Sequence, residues 1–87
     1  MHILWTPLFA SDFRNLPGDV QARAERTIRL LAENPRHPSL RSRKMQGAGN
    51  IWEASVTLSY RITYELRGET LVLRRTGTHD ILRKEKR

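Results

Sequence analysis

The chain has 87 residues, 38% of them hydrophobic, which is enough for one modest core and a single domain over residues 1–87. It contains no cysteine, which excludes a disulfide framework, a thiol nucleophile and a zinc site with Cys ligands. The net charge of +7 favours polyanionic partners. An export signal and an apolar stretch long enough to span a membrane are both absent, so we expect a soluble, cytoplasmic protein that uses no metal and no other cofactor.

The first third of the chain predicts a strand followed by a helical hairpin. Residues 2–6 are bulky and mostly apolar, as in a strand, and Thr6-Pro7 offers an N-cap followed by proline at the first helical position. The first helix stops at Pro17-Gly18, and Asp19 is expected to cap a second helix that ends at Asn34. The apolar stripes expected to be buried are Leu8, Phe9, Phe13 and Leu16 in the first helix, and Val20, Ala24, Thr27, Ile28 and Leu31 in the second.

The rest of the chain predicts an antiparallel sheet. Residues 34–50 contain two prolines and two glycines without periodicity and read as a loop. Apolar and polar residues alternate over 52–58 and over 60–66, which predicts two strands, and Arg67-Gly68-Glu69 is a hairpin turn before a third strand and a charged tail. The predicted fold is α+β: an N-terminal strand and a two-helix hairpin packed on a small, mainly antiparallel sheet of about four strands.

The positive charge is concentrated in two segments. Residues 34–50 hold four basic residues and no acid, and residues 74–87 hold six basic residues against Asp80 and Glu85, so each segment has a net charge of +4. If the two segments meet in space, they form the basic surface of a protein that binds a phosphate backbone. The alternative is a pair of solvated loops. The candidate RNA-binding residues are Arg36, His37, Arg41, Arg43 and Lys44 in the first segment, with Arg83 and Lys84 in the second.

His79 and Arg61 are the residues best suited to carry chemistry. His79 follows the last predicted strand, and its imidazole titrates close enough to neutral pH to exchange a proton within one catalytic cycle. Arg61 lies mid-strand, opposite the apolar residues of its strand, where a guanidinium can hold a phosphate through two hydrogen bonds and stabilise a phosphorane. The alternatives are a surface histidine beside Asp80 and a cross-strand ion pair of Arg61 with Glu53 or Glu65. Trp5 and Trp52 are interpreted as packing residues.

Four motifs follow one another in a fixed order along the chain. They are His37-Pro38-Ser39-Leu40 running into Lys44-Met45-Gln46-Gly47, then Ile51-Trp52-Glu53-Ala54, then Tyr60-Arg61-Ile62-Thr63-Tyr64, and finally Arg75-Thr76-Gly77-Thr78-His79-Asp80. In this order, and on a chain of this length, they resemble the RelE/ParE superfamily of bacterial toxins, and within it the YafQ-like and RelE-like branch.

This resemblance implies a toxin of a type II toxin–antitoxin system. Its activity would be that of a metal-independent endoribonuclease that cuts messenger RNA in the ribosomal A site by attack of the ribose 2′-hydroxyl. His79 matches the catalytic histidine of YafQ-like toxins and would be the general acid. Arg61 matches the transition-state arginine of RelE-like toxins and, helped by Arg75, would hold the phosphorane. The implied partners are a cognate antitoxin, messenger RNA and the ribosome.

The chain departs from these relatives at the position of the general base. It has Glu53 and Ser55 where RelE-like toxins carry basic residues, and Ser55 and Ser59 where YafQ-like toxins use a histidine and an aspartate. The base is therefore unassigned, with His37, Lys44 or the ribosome as candidates. Two other functions stay open at this point: a gyrase-inhibiting toxin of the ParE kind without nuclease activity, and a basic RNA-binding module with weak catalysis or none.

Overall fold

The computed structural model describes residues 1–85 as a five-stranded sheet with helices on both faces. Lys86 and Arg87, which the charge count includes, lie outside the described residues. In chain order the elements are β1 (His2–Trp5), α1 (Pro7–Arg14), α2 (Gly18–Glu33), a 3-10 helix (Pro38–Leu40), β2 (Arg43–Lys44), β3 (Trp52–Ser55), β4 (Tyr60–Arg67), β5 (Thr70–Thr78) and α3 (Asp80–Glu85).

The sheet confirms the predicted α+β fold and adds one strand to it. The strand order is β1-β5-β4-β3-β2, in which β1 is parallel to β5 and every other pair is antiparallel. The additional strand is β2, which lies within the predicted loop, where Arg43 and Lys44 pair with Glu53 and Trp52. A strand of two residues is too short to leave a detectable period in the sequence.

The first helix of the hairpin begins where predicted, whereas the second does not. The Thr6 hydroxyl accepts a hydrogen bond from the Phe9 amide at 3.3 Å and donates one to the Leu73 carbonyl at 2.7 Å, which caps α1 and ties it to β5. Asp19 does not cap α2. The helix starts one residue earlier, at Gly18, because the Pro17 carbonyl already accepts the first helical hydrogen bond, and Asp19 lies in the first turn. Among the described residues, no helix has the length and hydropathy needed to cross a membrane.

The sheet face that packs on α1 and α2, here called the helix face, holds the main core. Most of the predicted stripe of the two helices is buried there with apolar residues of β3, β4 and β5. Leu8 is an exception, since it is 59% exposed and does not belong to the stripe. Trp52 packs half-buried against this core, and Trp5 makes edge-to-face contacts with Phe9 and Phe13, so both tryptophans are packing residues as expected.

The opposite face of the sheet, here called the α3 face, is covered by a helix that the sequence reasoning interpreted as a charged tail. Met45, Ile51, Ile81 and Leu82 form a second, smaller apolar cluster on this face. Gly77 makes room for it, because a Cβ at this position would lie 3.0 Å from the Ile81 methyl carbon Cγ2. Residues 80–85 are too few to show helical periodicity, so the prediction of a tail was wrong there.

Two irregularities shape the end of the sheet that carries the candidate site. β3 ends at Ser55 instead of continuing to residue 58, so residues 56–59 form the turn into β4. Between β4 and β5 the pairing shifts from Tyr64–Leu73 to Thr63–Arg75, which leaves Arg74 as the extra residue of a β-bulge. The hairpin turn between β4 and β5 lies at Gly68-Glu69, as predicted, with Gly68 at φ +58°.

Candidate active site

His79 and Arg61 lie at the same end of the sheet. Arg61 in β4 pairs with Gly77 in β5, and His79 comes two residues after Gly77, immediately beyond the end of β5. The His79 carbonyl accepts the amide of Leu82 at 3.1 Å and so starts α3, while its side chain is exposed. Two neighbouring strands therefore place Arg61 and His79 at the same end of the sheet.

The guanidinium of Arg61 is largely withdrawn from solvent and holds the β3–β4 turn. Its side chain is 17% exposed, and Nη1 donates to the carbonyl oxygens of Thr57 at 2.7 Å and of Leu58 and Tyr60 at 3.2 Å each. Its Nε lies 3.6 Å from Glu53 Oε1, which is the ion pair weighed above as the alternative to a phosphate-binding role. The amino group Nη2 makes no hydrogen bond within residues 1–85, so one edge of the guanidinium is left to contact a substrate.

Sequence patterning predicts Glu53 only as an ion-pair partner of Arg61, without a chemical role. It is 5% exposed, and its carboxylate lies between two arginines, with Oε2 at 3.2 Å from Arg43 Nε and Oε1 at 3.6 Å from Arg61 Nε. The register explains this position, because Glu53 pairs with Arg43 on one side and with Thr63 on the other. In the sequence, Glu53 is a single acid at an outward-facing strand position. Its pairing with Arg43 depends on β2, which no sequence pattern predicts.

Arg75 has a different environment from the one its predicted role needs. Its Nε and Nη2 donate to Asp12 Oδ2 and Oδ1 at 2.7 and 3.1 Å, and the amide of Thr76 donates to the same Oδ2 at 3.1 Å. The hydrogen bonds to Asp12 raise the pKa of the Arg75 guanidinium. These contacts tie α1 to β5 and occupy the Nε side of the guanidinium, so Arg75 packs the hairpin on the sheet. A role of Arg75 in holding the phosphorane stays a prediction.

The basic loop is exposed, but its histidine is used locally. Arg36, Arg41 and Lys44 are exposed to solvent. His37 Nδ1 accepts the amide of Ser39 at 3.2 Å and lies 2.8 Å from the Ser39 hydroxyl, so this histidine caps the 3-10 helix. Because Nδ1 already accepts a backbone hydrogen bond, only Nε2 faces away for other contacts.

The two basic segments meet in space. Met45 of the first segment and Ile51, directly after it, form the apolar cluster of the α3 face with Ile81 and Leu82 of the second. Lys44 precedes this cluster in the first segment, and Arg83 and Lys84 follow it in α3, all three of them exposed. The two basic segments are therefore in contact through apolar side chains, and a single basic surface formed by their cations stays a prediction.

Arg74 fixes α3 to the sheet. Its Nε and Nη2 donate to the carboxylate of Glu85 at 2.8 and 3.1 Å, and its Nη1 donates to Glu65 at 2.7 Å. The hydrogen bond to Glu85 is the main reason that the pKa of Arg74 is raised. Burial acts to raise the pKa of Glu65, but the hydrogen bonds and charges of Arg67 and Arg74 outweigh it, and the pKa of Glu65 is lowered. Since His79 leads directly into α3, this network holds the backbone from which the imidazole projects.

Comparison with known proteins identifies the family. Residues 3–81 match the family model described as the ParE toxin of the type II toxin–antitoxin system parDE. No curated protein sequence matches the chain significantly.

Solved structures of bacterial and archaeal toxins share the fold. YafQ from Escherichia coli strain BL21(DE3) superposes with a TM-score of 0.79 at 21% identity, covering 92% of this chain and 94% of that one. The YoeB/ParE toxin from Agrobacterium tumefaciens gives 0.79 at 17% identity, covering 91% and 99%. The RelB–RelE antitoxin–toxin complex from Methanococcus jannaschii gives 0.75 at 22% identity, covering 92% and 94%. The likeness in fold extends over nearly the whole of each chain.

The family match covers all the strands, both helices of the hairpin and His79, and the fold is that of the RelE-like toxins. The chain belongs to the ParE toxin family of type II toxin–antitoxin systems, within the RelE/ParE superfamily.

Proposed function

We propose that this toxin is a metal-independent endoribonuclease that cuts messenger RNA on the ribosome. The observation that carries the proposal is the ion pair of Arg61 with Glu53 on the α3 face, together with the position of His79 two residues beyond Gly77, the strand partner of Arg61. A guanidinium, a carboxylate and an imidazole can supply the charge stabilisation, the base and the acid that cleavage through the 2′-hydroxyl uses.

In the proposed reaction, Glu53 accepts the proton of a ribose 2′-hydroxyl, and the O2′ oxygen attacks the adjacent phosphorus. The bond between O2′ and phosphorus forms, and the bond between phosphorus and O5′ breaks. His79, in its protonated form, donates a proton to the departing O5′. The products are a 2′,3′-cyclic phosphate and a 5′-hydroxyl end, and no oxidant, metal or cofactor enters the balance.

The role of Arg61 in this reaction is to stabilise the phosphorane. Its free edge, Nη2, supplies donors to the equatorial oxygens, while its bonds to the turn carbonyls hold the guanidinium in place before substrate arrives. A donor that is already oriented loses little freedom when charge develops on the phosphate, which is the basis of electrostatic preorganisation. Glu53 also keeps the Arg61 side chain aligned through their ion pair.

The partners in this proposal are nucleic acid and an antitoxin. The exposed cations of the basic loop and of α3 suit the phosphate-rich A site of the ribosome. Several structures of similar fold are complexes with an antitoxin, such as the DinJ–YafQ complex from Escherichia coli. For this chain we propose an acidic, amphipathic antitoxin segment that folds as it covers the basic surface.

Gyrase inhibition is the second candidate, and the match to the ParE family model favours it. A gyrase inhibitor would accumulate cleaved DNA and induce the SOS response. It would also have no need of His79. A ribonuclease would instead stop translation and leave RNA ends with a cyclic phosphate.

The test compares His79→Ala, Glu53→Gln and the parent in an in vitro translation reaction, with primer extension on the message. General acid–base groups contribute roughly 10²- to 10⁴-fold to rate, so each variant should cleave slower by about that factor. His2→Ala is the matched control, since His2 is an exposed histidine that pairs with Thr70, at the opposite end of β5 from His79. It should cleave like the parent.

Thermal unfolding of each variant accompanies the assay, because a loss of cleavage counts only if the fold is kept. If a folded His79→Ala variant cut messages at the parental rate, the nuclease mechanism would be wrong. Cleaved DNA in a gyrase reaction, with intact messages, would select the second candidate.

A further inference from the structure

A continuous groove leads from Arg61 around the end of β3 to the outer side of α2. It consists of two adjoining depressions that share Ser39, Ser55 and Val56 in their walls. Arg41 and Arg61 line one depression, and Arg23 and Arg26 of α2 line the other. We call this feature the arginine groove, after those four arginines.

The helix contributes one regular stripe to the arginine groove. Arg23, Arg26, Thr27 and Leu30 are spaced i, i+3, i+4 and i+7, which places them on a single face of α2. The acids of α2 point elsewhere, since no Asp or Glu lines either depression. The first third of the chain has no net charge in sequence, yet Arg23 and Arg26 place two of its positive charges in the wall of the groove.

Arg41 holds a backbone conformation that favours glycine. It ends the 3-10 helix at φ 48° and ψ 40°, the left-handed region, and its amide donates to the Pro38 carbonyl at 3.1 Å. Glycine would close the same turn without a Cβ clash. Non-glycine residues in such strained conformations cluster at functional sites. The Arg41 side chain, which glycine would lack, lines the groove.

The lining of the arginine groove suits phosphates better than an apolar surface. Leu30 and Val56 pack against the main core, and Leu40 is buried, so their apolar atoms are mostly used within the protein. Leu58, 86% exposed at the tip of the β3–β4 turn, is the exception at the rim. The accessible polar groups of the lining are the arginine guanidinium groups and side-chain hydroxyls, among them that of Ser55 between the two depressions.

We propose that the arginine groove binds the backbone of the RNA strand that continues from the scissile phosphate, so that Arg23, Arg26 and Arg41 contact phosphates to one side of the cut. The inference rests on the proposed nuclease function, because it takes Arg61 as the residue at the cut. It adds α2, which the charge distribution of the sequence had excluded, to the nucleic-acid interface.

The test measures binding of a short, fluorescein-labelled single-stranded RNA with 2′-O-methyl riboses, which lacks the nucleophile and is not cut. Affinity is determined by fluorescence anisotropy over a series of salt concentrations. Each phosphate neutralised on a single strand adds about 0.7 to the slope of log affinity against log salt. An Arg23→Gln/Arg26→Gln double variant should therefore lose about 1.4 from the slope, which is roughly 25-fold in affinity at about 0.1 M salt.

The matched control is Arg14→Gln/Arg29→Gln, which removes two exposed helix arginines that do not line the groove. Its slope should stay close to that of the parent. Arg41→Gly is a third variant, for which both the temperature of unfolding and the salt dependence of RNA affinity are measured. It should not lower the temperature of unfolding, since glycine relieves the backbone strain, but it should lower the slope by about 0.7.

The outcomes separate this inference from the nuclease proposal. A parental slope in Arg23→Gln/Arg26→Gln would overturn the RNA groove, and so would an equal loss in the control. Normal RNA affinity together with lost binding of an acidic helical peptide would overturn it as well, in favour of a peptide surface. If the groove variants lose RNA affinity while His79→Ala cleaves messages normally, the groove stands and only the proposed chemistry fails.

Discussion

The two faces of the sheet are covered by different kinds of interaction. On the helix face, twelve buried residues form one apolar cluster, whereas four form the cluster on the α3 face. The rest of the α3 face is covered by ion pairs centred on Glu53 and on Arg74. Apolar burial supplies most of the free energy of folding, while partly solvated ion pairs supply little.

This difference separates stability from activity in the molecule. The Arg43 side chain is exposed, so it can exchange the Glu53 carboxylate for a substrate phosphate at modest cost. Buried apolar side chains have no such alternative, and their removal leaves a cavity. Changes on the helix face should therefore act on unfolding, and changes on the α3 face should act mainly on the proposed chemistry.

The largest effect is expected from the core of the helix face. Phe9→Ala removes a fully buried ring, at 0% exposure, and should lower the free energy of unfolding by about 3–5 kcal/mol. Urea unfolding monitored by circular dichroism measures this loss. Leu8→Ala, on the adjacent and exposed position of the same helix, is the control and should change stability by no more than about 0.5 kcal/mol. Equal losses in the two variants would contradict the assignment of the core.

The ion pair of Asp12 with Arg75 tests whether charged contacts between α1 and β5 contribute to stability. Asp12→Ala leaves the guanidinium and the Thr76 amide without their acceptor, and charged hydrogen bonds of this kind contribute about 2 kcal/mol. Arg75→Ala should cost a similar amount, and the double variant should cost less than the two losses added together. Asp19→Ala, in the first turn of α2, is the control, with a loss of about 0.5 kcal/mol. If Asp12→Ala unfolds at the parental urea concentration, the packing role of Arg75 is wrong.

Gly77→Ala tests the contact between β5 and α3 by adding a methyl group on the α3 face. Gly77→Ala places a Cβ 3.0 Å from Ile81, which should cost about 1 kcal/mol and shift the start of α3. Cleavage should fall by a larger factor than stability alone explains, because His79 lies between the two residues. Gly18→Ala is the control, since a Cβ there meets open space at the start of α2 and should stabilise by about 0.5 kcal/mol. Unchanged cleavage in a folded Gly77→Ala variant would remove α3 from the mechanism.

The helix face could be predicted from the sequence because it is built from local patterns. Thr6 and Pro7 mark the start of α1, and Gly68 marks the hairpin turn through its positive φ. Val20, Ala24, Ile28 and Leu31 carry the helical period and are all buried. Each of these signals lies within one element, so no knowledge of the tertiary fold is needed to read it.

The α3 face could not be predicted in the same way, since its contacts join distant parts of the chain. β2 and α3 are short, and neither has room for a full apolar period. The burial of Glu53 depends on Arg43 across β2, and the ion pair of Arg75 depends on Asp12, 63 residues away. Sequence patterning therefore predicts neither the ion pair of Arg75 with Asp12 nor the second ion pair of Glu53, with Arg43.

The smallest effect concerns the single carboxylate of Glu65, and it tests the ion pairs of the α3 face by pH. Its pKa is lower in the folded protein than the ordinary 4.5, so the folded chain binds fewer protons there than the unfolded chain. The stability it adds is complete above that ordinary pKa and is lost as the pH falls through the lower, folded pKa. Glu65→Gln should thus be less stable than the parent near neutral pH and lose less stability in acid, as urea unfolding at several pH values will show. Glu69→Gln, in the exposed hairpin turn, is the matched control and should follow the parental pH profile. If Glu65→Gln follows it too, the ion pairs of Glu65 with Arg67 and Arg74 do not stabilise the fold.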